Sequence, residues 1–116
     1  MRETEVASKE LADLLGVLAH PQRVQIVEEL RREERDVGAL ADALGAPQAR
    51  VSQHLSLMRA HHVVTDRRDG RHVYYRLVDK GLAAWLLHGL EWIGVKSGEV
   101  EGVVAAIEAS KALWGG

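Results

Sequence analysis

Two short helical patterns separated by "GAP", Gly45 to Pro47, constrain this chain more than any other feature. In "RDVGALADALG" Leu40 and Leu44 stand four apart, and Gly45 follows where a left-handed helix cap belongs. In "APQARVSQHLSLMRAHH" Val51, Leu55 and Met58 recur at i, i+4, i+7, the inner face of a second helix. Two short helices with only a glycine-bearing turn between them make a helix-turn-helix, here over about residues 37–61.

The flanks extend the pattern. Leu11, Leu14, Leu15 and Leu18 mark an amphipathic helix over about 8–18. Pro21 suits the first turn of another, from Pro21 to Glu34, with Val24, Val27 and Leu30 inward and Ile26 adjacent. Asp69-Gly70, between residues of high β-propensity, predicts a hairpin over about 62–78 closed by a type I′ turn centred on that pair. On its return strand Val73, Tyr75 and Leu77 alternate with His72, Tyr74 and Arg76. From Asp79 to Val95 a broad apolar stripe (Leu82, Trp85, Leu86, Gly89, Trp92, Ile93) predicts a helix. "KSGE" at 96–99 reads as a break before a last helix, Glu99 to Trp114, spaced by Val100, Val103, Val104 and Ile107. The expected fold is mainly α with a β-hairpin: a winged helix-turn-helix of about five core helices plus a C-terminal helix, one domain over 1–116.

Charge is placed unevenly. The chain of 116 residues has a net charge of −2. From Gln48 to Arg76, however, six arginines face two aspartates, a balance of +4, which leaves −6 for the rest. A basic segment in an acidic body marks an anion-binding face; the other reading is a solvated charged hairpin. Gln48, Arg50, Ser52, Gln53 and His54 lie opposite the apolar back of the second helix, as a helix entering a major groove requires. Arg67, Arg68 and Arg71 crowd the hairpin tip, suited to phosphates or the flanking minor groove.

Other classes fare worse. The chain has no cysteine, hence no disulfide, thiolate metal site or cysteine nucleophile. It carries no glycine-rich phosphate loop, H-E-x-x-H or G-x-S-x-G, so an enzyme is not expected. No signal peptide and no apolar run of about 18 residues is present, so no membrane partner is expected and the cytoplasm is the expected location.

The words "HPQRVQIVEEL", "VGALADALGAPQARVSQHLSLMRAHHVV" and "RRDGRHVYYRL", in that order from about Leu11 to Trp92, resemble the ArsR/SmtB family of bacterial transcriptional repressors. The most specific piece matches V-S-x-H-L-x-x-L followed by R-x-G-R-x-x-Y-Y. The resemblance implies a homodimer paired through its first and last core helices, about 8–18 and 79–114, bound to palindromic operator DNA and released by a metal ion. The apolar stripe from Leu82 to Ile93 fits that seam, or else ordinary core packing.

The metal sites implied by the resemblance are degraded. Asp36 and Gly38 stand where one family site has cysteines. Asp79 matches the aspartate of the second, but Gly81 replaces its histidine, and Trp92 and Val95 occupy the later positions. One ligand of four does not hold a metal. Two substitutes remain: His88 with Glu91, three apart on one helical face and doubled across a two-fold axis, or His61, His62, His72 and Asp66 near the hairpin base. Imidazole with carboxylate suits Ni(II) or Zn(II). The candidate ligands are thus His62, His72, Asp79, His88 and Glu91. The rival readings are a repressor with no metal of its own, answering to an accessory protein or small ligand, and a winged-helix protein-interaction module.

Overall fold

The computed structural model describes residues 2–96 and 101–115, in two compact units, Met1–Asp79 and Lys80–Gly116. The first runs α1 (Glu3–Leu18), α2 (Pro21–Leu30), β1 (Arg35–Asp36), α3 (Val37–Leu44), α4 (Gln48–Ala60), β2 (Val64–Asp69) and β3 (His72–Leu77). Its core is aliphatic: Ile26, Val27 and Leu30 of α2 meet Leu40 of α3 and Val51, Leu55 and Met58 of α4, all essentially inaccessible. Ile26 is therefore a core residue and Val24 only half-buried, the reverse of the sequence expectation. α2 also stops four residues early, at Leu30.

Both helices of the helix-turn-helix end in the same way. After α3, Gly45 adopts φ 62° and the Ala46 N–H donates to Ala41 O at 3.1 Å. After α4, His62 adopts φ 59°, with Val63 N–H donating to Met58 O at 2.9 Å and His62 N–H to Arg59 O at 3.1 Å. These are Schellman closures, which need a left-handed residue one past the cap. Gly45 takes that conformation freely; His62 does so against its Cβ. The start of α3 is fixed by Asp36, whose Oδ1 accepts from Ala39 N–H at 2.8 Å.

The wing is a three-stranded antiparallel sheet in the order β1-β3-β2. β1 pairs Arg35 with Tyr75 and Asp36 with Tyr74, a strand too short to leave a periodic signal. The hairpin register runs from Val64–Leu77 to Asp69–His72. Asp69 is thus a strand residue, and the turn is centred one position later, on Gly70 and Arg71. Gly70 has φ 61° and Arg71 is not left-handed. That is the pattern of a type II′ turn with glycine first, not the expected type I′. Tyr74, expected on the open face, is half-buried.

In the second unit α5 (Gly81–Lys96) lies against α6 (Glu101–Gly115). A Cβ at Gly94 would stand 3.6 Å from Ile107 Cγ2, so the two helices approach closely there. Ala83, Ile107 and Trp114 are buried, whereas Trp85, Trp92, Ile93 and Leu113 are exposed. The expected break at 96–99 falls largely outside the described residues, as does Val100; the side chains of Val103 and Val104 are likewise undescribed. No helix among the described residues is long and apolar enough to cross a membrane.

Candidate nucleic-acid interface

α4 separates its residues cleanly. Val51, His54, Leu55 and Met58 are buried, and Gln48, Arg50, Ser52 and Gln53 are all exposed. The inner face sits on the α2 and α3 core, so the outer face projects from a rigid base. His54 departs from the expected outward set. Only 8% exposed, it points inward because Gln22 Oε1 lies 2.9 Å from its Nε2 and Arg23 Nη1 3.2 Å from its Nδ1. Burial, helped by the neighbouring His20, Arg23 and Arg50 charges, holds its pKa below the ordinary histidine value.

The three wing arginines also divide. Arg67 grips Glu34, in the segment before β1, through Nε and Nη2, and lies 4.7 Å over the Tyr74 ring. Arg68 and Arg71 are exposed, and no carboxylate among the described residues pairs with either. Arg68 shares a sheet face with Asp66, and Asp66 pairs with Arg59 of α4 at 3.3 Å. Arg68 is therefore on the side of the wing that adjoins α4.

Within the first unit the candidate metal ligands His62 and His72 do not converge. No group of three or more His, Cys, Asp or Glu side chains among the described residues could hold an ion. His62 and His72 cannot share a site at the hairpin base. His62 precedes β2, while His72 pairs with Asp69 at the tip, about 17 Å along the strands. His72 Nδ1 instead lies 3.5 Å from Asp36 Oδ2. His88 and Glu91 are exposed on α5, and Asp79 ends the first unit.

The sequence pattern does not signal the Gln22–Arg23 cradle around His54, the Glu34 anchor of Arg67 or the Asp36–His72 contact. Each pairs residues distant in the chain. Only the word "HPQR", where His20 Nδ1 accepts from Gln22 N–H at 3.0 Å, carried a local hint.

Three helices around a core, a turn closed by Gly45 and a hairpin beside the second helix define a winged helix-turn-helix. Residues 20–65 match the bacterial regulatory proteins of the arsR family. The SmtB transcriptional repressor of Mycobacterium tuberculosis is 48% identical over 82 residues, 71% of this chain and 61% of that repressor. The chain thus aligns with about three fifths of the length of that relative. The biofilm growth-associated repressor of Xylella fastidiosa is 35% identical over 88 residues, 76% of each chain. Among solved structures, NolR from Sinorhizobium fredii superposes with a TM-score of 0.70 at 35% identity, over 80% of this chain and 92% of that one. The chain belongs to the ArsR/SmtB family of winged-helix regulators.

Proposed function

We propose that this protein is a sequence-specific DNA-binding transcriptional repressor that acts as a homodimer, with α4 in the major groove. The observation that carries the reading is the exposed polar face itself. Gln48, Arg50, Ser52 and Gln53 stand exposed on one helix, Arg68 stands exposed on the side of the wing that adjoins it, and Arg71 is exposed at the wing's turn. Glutamine and arginine make bidentate contacts to adenine and guanine, each worth about 1–3 kcal/mol of discrimination; wing arginines take phosphates or the minor groove. Similarity to repressors supports the regulatory role. One winged-helix neighbour, from Mycobacterium bovis, is described as homodimeric, and the exposed apolar residues of α1 suit pairing of two copies.

The test is fluorescence anisotropy with a labelled duplex from the region upstream of the protein's own gene, against a shuffled duplex of equal composition. Preference for the upstream duplex, lost in an Arg50→Ala, Gln53→Ala double variant, is the expected result. Equal weak binding to both would sink the reading in favour of an interaction module.

Control of such a repressor rests either with an accessory protein or small ligand or with a Ni(II) or Zn(II) ion held between two copies, since among the described residues no single chain gathers three ligands. A Ni(II) or Zn(II) site would need His88 and Glu91 from two copies. Repeating the assay with each ion and with a chelator separates the two modes of control.

A further inference from the structure

His54 sits in the middle of the helix assigned to DNA, yet it is a joint. Its Nε2 faces Gln22 Oε1 and its Nδ1 faces Arg23 Nη1. A guanidinium offers only donors and an amide oxygen only lone pairs. The ring must therefore carry its proton on Nε2 and present a lone pair at Nδ1. The same Arg23 donates through Nε to Val17 O in the last turn of α1. One side chain of α2 thus fastens the end of α1 and the middle of α4 together.

We propose that Arg23 and His54 are positioning residues that set the pose of α4 on DNA, and that the joint holds only while His54 is neutral. The inference rests on the DNA-binding reading above. A proton added at Nδ1 would point at the donors of Arg23, replacing a hydrogen bond with two apposed cations. Among the described residues no carboxylate pairs with the ring. His20 lies 4.5 Å away ring to ring, its Nδ1 taken by Gln22 N–H. Arg23 and Arg50 add positive charge from α2 and from α4 itself. The carboxylates that β2 and β1 bring near α4 and α3 are engaged elsewhere, Asp66 with Arg59 and Asp36 with Ala39 N–H. The buried ring accordingly takes up its proton at a pH below the ordinary histidine value of 6.5. The folded joint binds fewer protons than a free histidine would, so its hold is full at neutral pH and is lost as pH falls through that lowered value.

The experiment measures affinity for the upstream and shuffled duplexes from pH 7.5 downward, for the wild type, Arg23→Gln and His54→Gln, with thermal unfolding followed by circular dichroism. The wild-type preference is flat near neutrality and then falls, by up to about tenfold per pH unit. His54→Gln, whose side chain does not titrate, loses the acid fall: its preference for the upstream duplex stays level as the pH is lowered. Arg23→Gln remains folded, keeps its salt dependence and loses preference by roughly tenfold or more at every pH. A His54→Gln profile that follows the wild type, or an Arg23→Gln variant with undiminished preference, overturns the proposal. Nitrogen NMR of the free protein provides an arm independent of DNA: it reads an Nε2–H tautomer and α4 amide shifts that track His54 titration. A wild type that does not distinguish the duplexes would overturn the DNA reading, and the tautomer and amide shifts would then decide the joint alone. A proton on Nδ1 at neutral pH, or α4 amides indifferent to the titration, would overturn it.

Discussion

Arg67 and Glu34 form a bidentate ion pair that ties the wing to the segment between α2 and β1, with the guanidinium also stacked over Tyr74. The hydrogen bond from Arg67 holds the Glu34 carboxyl below its ordinary range. A guanidinium committed on both its edge and its face is a strut. Arg68 and Arg71 carry charge that no carboxylate among the described residues neutralises. Each phosphate neutralised contributes about 0.9 to the slope of log affinity against log salt. Substituting Arg68 or Arg71 by Ala is expected to flatten that slope by about one unit for each phosphate left without its arginine. Arg67→Ala should weaken binding while leaving the slope nearly unchanged. Anisotropy titrations in increasing KCl measure both, and an equal flattening for all three arginines would contradict the division.

His62 holds its left-handed backbone because the turn out of α4 requires it. A residue with a Cβ is disfavoured there by roughly 1–2 kcal/mol, a penalty glycine escapes. His62→Gly is expected to stabilise the protein by about 1 kcal/mol and raise Tm by about 4–8 °C, read by thermal unfolding. The same variant removes one candidate metal ligand. A Ni(II) or Zn(II) response that survives it does not use His62.

Asp36 caps α3 through its Oδ1 and lies beside His72 of the wing. Asp36→Ala should cost about 1 kcal/mol, as the loss of an N-cap generally does, and Asp36→Asn should restore most of it. Chemical denaturation of the two variants measures the difference. A cost equal in both would mean that the His72 contact, not the cap, carries the effect.

What the sequence revealed of the fold follows from range. The helix pattern at 37–61 was legible because apolar spacing and Gly45 act within a few residues. The Asp69-Gly70 signal located the hairpin but not its turn. Strand register settles which two residues are central, and register depends on the whole ladder from Val64–Leu77 onward. β1 has two residues and exists only because β3 offers it an edge. At the candidate site, polarity alone grouped His54 with Gln53 and Arg67 with Arg68. Burial by α2 and capture by Glu34 separate them, and both partners come from 31 to 33 residues away.

α1 leaves Val6, Leu11 and Leu15 each 45–50% exposed, while Val17 and Leu18 at its end are buried. Leu11 and Leu15 are one turn apart, so they lie on the same side of the helix. Apolar side chains repeated along an exposed helix face gain by burial against a second copy, roughly 25 cal/mol for each Å² removed from water. A two-fold pairing doubles every contact because the patch meets itself. Replacing both Leu11 and Leu15 by Lys places like charges against each other across such an axis. Dimers are then expected to give way to monomers in light scattering at micromolar concentration. Core residues from Ile26 to Val64 are untouched, so the circular dichroism of the variant should match the wild type. Affinity for the upstream duplex should fall much further than affinity for the shuffled one, since a monomer presents one recognition helix instead of two. A variant that remains dimeric would show that α1 is not part of the seam.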